Sequence, residues 1–313
     1  MSVKRLKLSD LKLVKEEDEI LGNFTSVRGK YAIPETGKAG FYKLNGCMIG
    51  GKNEEDLREL LSSRIMDIIG FPHADILLVS DEKNGNGCLS MSILNENEHF
   101  VEPEAQESKF KPINNIDDFI NKDLEQISII PGITSEDLRN RKEYLLKYLF
   151  VSALISNTDV KMDNMFMIKN DVTGEFRNPE YYDMGVAFVE NRDFFYNFSS
   201  KQIIEQLYEL YPAQVVPFGN QIQEKLKRTD IKALLSEESF ETFSEKSKKS
   251  ITNQLFDTMK LIAHLNAKEK NYFRFGTDSL HDAVKGVNLS LRDRVSGYLS
   301  KFRDNILGRD IDE

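Results

Sequence analysis

Three polar side chains carry the chemical signal of this sequence: Asp159, Asn164 and Asp183. Asp159 and Asn164 stand in SNTDVKMDNMFMIK, where a long amphipathic helix ends, a polar loop follows and a short apolar strand begins. Asp183 stands in YYDMG, beyond a turn-like segment, NDVTGEFRNPE, that would let Met165–Ile168 pair with the strand leading into Tyr182. Phosphoryl transfer needs this set. One carboxylate orients or deprotonates the attacking hydroxyl, while an amide oxygen and a second carboxylate hold Mg2+ on the nucleotide phosphates. Ordinary turns compete with this reading, because Asn, Asp and Gly dominate turns for local hydrogen-bonding reasons. The order, the separation and the setting of helix, loop, strand, strand and Asp-x-Gly favour the chemical one.

An Asp followed by four residues and an Asn, with Asp-x-Gly a strand later, is the generic kinase order. Such a site is completed upstream by a phosphate-covering loop, a strand lysine and a helical glutamate. Thr25–Lys30 (TSVRGK) is a small polar turn before a strand and supplies the first, with Ser26, Arg28 and Gly29 bringing backbone N–H groups to phosphate. Lys43 lies mid-strand in GFYKL; taken alone it reads as a solvent-facing lysine, the usual fate of lysine in a half-buried strand. Glu59 lies on the helix that follows; taken alone it faces Ser63 one turn on, and Glu55 competes with it as partner for Lys43. The downstream motif is what singles out Lys43 and Glu59.

The elements that must position these residues change character along the chain. Runs at Lys30–Ile33 and Gly40–Leu44 read as strands, punctuated by Pro34, Gly37 and Gly40. Asn53 can cap a helix whose apolar residues Leu57, Leu60, Leu61, Ile65, Ile68 and Ile69 recur at helical spacing until Gly70 and Pro72 stop it. Ala74–Ser80 and Cys88–Leu94 flank DEKNGNG and read as a hairpin. NENEHFVEPEAQESKFKP has no sustained period and reads as a linker. Beyond it helices are predicted over Leu138–Ser156, Ser200–Tyr211, Asp230–Leu235, Glu238–Lys268 and Ser290–Ile306. The fold class expected is α+β and bilobal. Residues 1–95 form a small β-rich N-lobe with one long helix, and residues 96–313 a larger, mainly helical C-lobe.

Composition narrows the function classes. With 313 residues, 42 Lys+Arg against 51 Asp+Glu and a net charge of -9, the chain repels phosphate backbones and anionic lipid, so direct nucleic-acid binding is not expected. The two cysteines, Cys47 and Cys88, make no disulfide framework, and the four histidines show no ligand spacing. The apolar stretch Tyr144–Ile155 is too short to span a membrane and contains Lys147, and no secretion signal is visible, so the expected location is the cytoplasm.

The segments SVRGK, FYKL, RELLSSRIMDIIGF, SNTDVKMDN and YYDMG resemble those of the HipA-like bacterial serine/threonine kinases, in particular the compact CtkA-type kinases, over roughly Thr25 to Val189. The resemblance implies an ATP- and Mg2+-dependent protein kinase. By it Lys43 contacts the α/β-phosphates and pairs with Glu59, Asp159 is the catalytic base, and Asn164 and Asp183 hold Mg2+. Ser92–Leu94, with Ser92 and Leu94 at its ends, is the hinge beside adenine. It further implies autophosphorylation in the loop containing Ser26, a protein substrate, and a separate antitoxin or regulatory partner. Two departures stand out. Lys161 replaces the histidine common two residues after the catalytic Asp, and its ammonium can steady the transferring phosphate. The phosphate loop is poorer in small residues and Gln than the family's. A small-molecule kinase of the aminoglycoside-phosphotransferase type shares the Asp/Asn/Asp chemistry, but its loop usually reads His-x-Asp where this chain has Asn157. A nucleotide-binding scaffold without turnover is the remaining alternative. In an acidic chain, Arg28, Lys30, Lys43 and Lys161 are the cations expected to gather around ATP.

Overall fold

Strand alternation accounts for the first half of the molecule. β1 (Leu6–Lys7), β2 (Lys12–Lys15), β3 (Val27–Ala32) and β4 (Ala39–Leu44) precede helix α1 (Glu55–Ile69), and β5 (Ile76–Asp81) and β6 (Gly85–Met91) follow it. They form one six-stranded sheet in the order β1-β5-β6-β4-β3-β2. A computed structural model describes residues 5–15, 27–45, 54–83, 85–102, 115–157, 159–160, 162–189 and 198–286. Thr25, Ser26, Asn53, Lys161 and the helix expected over 290–306 lie outside the described residues.

Successive side chains of a strand point to opposite faces of its sheet. Tyr42 joins Val79 and Leu89 on one face, where Leu6, Leu8 and Leu11 from the N-terminal segment cover them. Lys43 points the other way and stands opposite Cys88 in register. That face is covered by α1, whose Leu57, Leu60, Leu61, Ile65 and Ile69 pack with Ile76, Leu78 and Cys88. The helix stops at Gly70, at φ 70°, a left-handed C-terminal cap that glycine adopts without strain. Reciprocal bonds place its start: Asn45 Nδ2 donates to Asp56 Oδ1 at 2.7 Å and the Asp56 N–H to Asn45 Oδ1 at 2.9 Å.

The second half contains β7 (Glu98–Val101), α2 (Ile116–Ser128), α3 (Ser135–Leu154), β8 (Met167–Asn170), β9 (Phe176–Arg177), α4 (Ser200–Leu210), α5 (Pro212–Lys227), α6 (Ile231–Leu235) and α7 (Glu245–Gly286). α3 is its axis. Thr134 and Asp137 cap its start reciprocally, and Leu145, Tyr148, Leu149, Phe150, Val151 and Leu154 are buried against the flanking helices. The chain forms two units, residues 1–265 and 266–313; over its described residues, 266–286, the second is helical. None of the described helices is long and apolar enough to cross a membrane. The architecture is α+β.

Three expectations are corrected, and one helix is added. The turn read over Thr25–Lys30 is strand from Val27 onward: β3 pairs with β4, and a bulge between Val27 and Lys30 takes up Gly29 at φ 143°. The polar stretch after Leu94 contains β7, which pairs antiparallel with β8. α5 contains Pro217 and begins at Pro212, so its prolines conceal it from a periodicity reading; Gly219 lies where a Cβ would overlap the Tyr208 hydroxyl. β8 pairs with Phe176–Arg177, whereas Tyr181 pairs with His73.

Candidate active site

Lys43 lies between two carboxylates. Its Nζ donates to Glu59 Oε1 at 2.7 Å and to Asp183 Oδ1 at 2.9 Å. Exposure decreases from Asp183 (31%) through Lys43 (14%) to Glu59 (2%). Burial alone would discharge the lysine, but the charges of Asp183 and Glu59 outweigh it and the ammonium is held well above its ordinary pKa. Glu59 has the opposite balance: its burial pushes the carboxyl pKa up, and Lys43 only partly offsets it. Lys43 thus bridges two carboxylates, and burial keeps the Glu59 carboxyl pKa raised despite that contact. Of the two helical glutamates, Glu59 is seen paired with Lys43, and the Glu59 carboxylate and the Glu55 Cβ both lie beside Gly185 of the Asp-Met-Gly motif.

The loop after α3 is fixed by a directional chain of hydrogen bonds. The Asp159 N–H donates to Asn157 Oδ1 at 3.3 Å, and Asn157 Nδ2 donates to the Tyr181 hydroxyl at 2.9 Å. Ser152 Oγ donates to the Tyr148 carbonyl at 2.8 Å, so in its 2.7 Å contact with Tyr181 the tyrosine must be the donor. Burial pushes the Tyr181 phenol up to about 12, which keeps that proton in place. Tyr181 also uses its backbone: its N–H donates to the Pro72 carbonyl at 3.0 Å and its carbonyl accepts from Ala74 N–H at 2.9 Å. One residue therefore fastens the connection after α1, the end of α3 and the approach to Asp183.

Asn164 turns its Nδ2 to the Asp159 carbonyl (3.0 Å) and to Asp159 Oδ2 (3.3 Å), leaving its amide oxygen as the acceptor face. Met162–Met165 form a 3-10 turn that presents Asn164 just ahead of β8. Ser156 (φ 49°), Asp183 (φ 61°) and Phe188 (φ 60°) occupy the left-handed region, which costs energy for residues other than glycine and clusters at functional sites. The bond from Phe188 N–H to the Ile155 carbonyl, 2.9 Å, joins the two strained stretches. Arg58 on α1 donates to the Ala187 carbonyl at 3.2 Å.

Lys43, Glu59 and Asp183 are thus brought together, and Asp159 with Asn164. Ser92 and Leu94 lie just beyond β6: Ser92 N–H donates to the Ala39 carbonyl at 2.9 Å and Leu94 N–H to Ser92 Oγ at 3.4 Å. Arg28 and Gly29 lie in β3, where Arg28 Nη1 donates to the Val27 carbonyl at 3.2 Å. Lys30 stands over the Phe41 ring, 5.4 Å from its centroid. Sequence reading passed over Asn157 as a positioning group, together with Tyr181, Ser152 and Arg177. Their only signal was proximity to the two motifs, because hydrogen-bond partners 24 and 29 positions apart leave no local pattern.

A scan against protein-family models finds no match, and no curated protein matches by sequence. Solved structures do. CtkA, a proinflammatory kinase of Helicobacter pylori, matches with a TM-score of 0.61 at 11% identity, over 86% of this chain and 99% of that one. HipA, from the complex of HipA, HipB and operator DNA of the Shewanella oneidensis MR-1 toxin–antitoxin system, matches with a TM-score of 0.44 at 9% identity, over 84% and 75%. The Golgi casein kinase matches with a TM-score of 0.39 at 10% identity, over 85% and 73%. The chain has a bilobal, CtkA-like kinase fold.

Proposed function

We propose that this chain is an ATP- and Mg2+-dependent serine/threonine protein kinase. Its nucleotide-side lobe would comprise residues 1–95, and residues 96–313 would form the lobe that presents catalytic groups and acceptor. The observation that supports this reading most directly is Lys43 Nζ held at 2.7 Å from Glu59 and 2.9 Å from Asp183. A solvent-facing lysine would leave a strand face for water; this one is held charged in a largely buried position, as a group that grips phosphate oxygens must be.

Each residue of the site has a distinct part in the proposed reaction. Glu59 aims Lys43 from α1, and Lys43 binds the nucleotide phosphates. Asp159 accepts the proton of the acceptor hydroxyl; Asn164 Nδ2 engages one of its carboxylate oxygens at 3.3 Å, which sets the carboxylate's orientation. Asn164 Oδ1 and the Asp183 carboxylate are hard oxygen donors of the kind Mg2+ takes, and the amide orientation seen here points the nitrogen at Asp159. When bound there, the metal supplies charge neutralisation for the phosphates. Asp183 would exchange its contact with Lys43 for that role, and Lys43 would turn to the phosphates.

Lys161 would act as a transition-state cation and Ser26 as an autophosphorylation site; both lie outside the described residues. The acceptor is proposed to be a protein, with an antitoxin or regulatory partner acting separately. The test is transfer of labelled γ-phosphate to the chain itself or to a generic protein acceptor in the presence of Mg2+. Transfer that Asp159→Ala and Asp183→Ala abolish supports the reading. No transfer by the unaltered chain, or full activity in Asp183→Ala, refutes it.

A further inference from the structure

Arg177, on β9, uses every nitrogen of its guanidinium. Nε and Nη2 form a fork on Glu98, at 2.9 and 2.7 Å. Nη1 donates to Glu180 at 2.8 Å, and Nη2 also donates to the Ile93 carbonyl at 2.6 Å. Ile93 lies between Ser92 and Leu94. Glu98 closes the same segment from its other end, accepting from the backbone and side-chain nitrogens of Asn95 at 2.8 and 3.0 Å. The Asn97 carbonyl accepts from the Asp171 N–H at 2.8 Å, and Asn97 itself is held at φ 63°. An irregular connection from Ser92 to Asn97 is therefore held onto the hairpin of β8 and β9 at Ile93 and Asn97, and closed between them by the bonds of Asn95 to Glu98.

We propose that Arg177 is a positioning residue for the nucleotide base: by fixing the Ile93 peptide it pre-orders the Ser92–Leu94 segment against which the base binds. This rests on the kinase reading above. Three features argue for it. The segment continues β6, whose Cys88 lies opposite Lys43, and it is the segment to which the resemblance assigns the base of a nucleotide whose phosphates are at Lys43. A planar fork satisfying two carboxylates and a peptide carbonyl at once is a geometry that arginine offers and lysine does not. A segment ordered before the ligand arrives spares binding the entropy of ordering it. The clamp also ties the base side to β8, whose leading turn presents Asn164.

The consequence is specific to the base. Calorimetry on the full chain with Mg2+ compares ATP with tripolyphosphate, which has the phosphates and no base, for the unaltered protein, Arg177→Ala, Arg177→Lys and Glu98→Gln. The expected result is a loss of about tenfold in ATP affinity for Arg177→Ala and Arg177→Lys, with tripolyphosphate affinity unchanged and the thermal midpoint recorded beside it. Equal losses for both ligands, or no loss for either, overturn the role of Arg177. ATP binding no tighter than tripolyphosphate in the unaltered chain overturns it too. If Arg177→Ala does not fold, Glu98→Gln, which keeps shape and removes the fork's charge, decides by the same ratio. If the unaltered chain binds neither ligand, the kinase reading itself fails.

Discussion

Asn157, two residues before Asp159, donates its side-chain amide to the hydroxyl of Tyr181, two residues before Asp183, at 2.9 Å. Both residues are fully buried, so neither group has water as an alternative partner. The bond couples the two proposed catalytic carboxylates through the residues that precede them.

Asn157→Ala leaves the Tyr181 oxygen without its donor and the Asp159 N–H without its acceptor. We expect kcat for phosphoryl transfer to fall by about a hundredfold with little change in the KM for ATP, and stability to fall by about 1–3 kcal/mol. A double-mutant cycle with Tyr181→Phe, read by urea unfolding and by kcat, checks the coupling. Independent effects of the two substitutions would refute it.

Lys43→Met removes the only cation bonded to the Glu59 carboxylate among the described ion pairs. At neutral pH the expected cost is about 3 kcal/mol, since removing one partner leaves a buried charge uncompensated. The pH dependence has a definite sign. Burial raises the Glu59 pKa above its ordinary 4.5, so the variant keeps its stability below that pH and loses it as pH rises through the raised value. Adding Glu59→Gln should restore most of the loss and flatten the profile; unfolding curves at several pH values measure it. Phosphoryl transfer should stay abolished in both.

Glu98 behaves in the opposite way. Its bonds to Arg177 hold its pKa at about 2, below the ordinary 4.5. The stabilisation is present above 4.5 and is lost as pH falls towards about 2. Acid unfolding of the unaltered chain compared with Glu98→Gln isolates this contribution. The difference in stability between the two should shrink across that interval, and a constant difference would contradict it.

Gly87→Ala tests the seat of Lys43 without touching its charge. A Cβ at Gly87 would overlap the Lys43 carbonyl oxygen across the β4 and β6 pair, a backbone atom that cannot swing aside. We expect a loss of about 2–3 kcal/mol in denaturant unfolding, as for overpacked interiors. A near-neutral outcome would mean that the two strands separate more easily than their register suggests.

Much of the arrangement was legible in the chain itself. Period-2 alternation in GFYKL places Tyr42 and Lys43 on opposite faces, and the 3.6-residue period of RELLSSRIMDIIG makes a helix that Gly70 ends. The spacing of Asp159, Asn164 and Asp183 announced a polar site after a buried helix. These are local properties, determined by neighbours within a turn or a strand pair. The prolines of α5 spoke against a helix that packing nevertheless forms, and the polar residues of β7 gave no sign of a strand whose pairing comes from β8. The contacts that assemble the site belong to the tertiary structure alone: Lys43 with Asp183 across 140 positions, Arg177 with Ile93 across 84 and Asn157 with Tyr181 across 24. Side-chain hydrogen bonds depend on where distant backbones are brought, and that is decided by burial of the two core faces, which no single segment specifies.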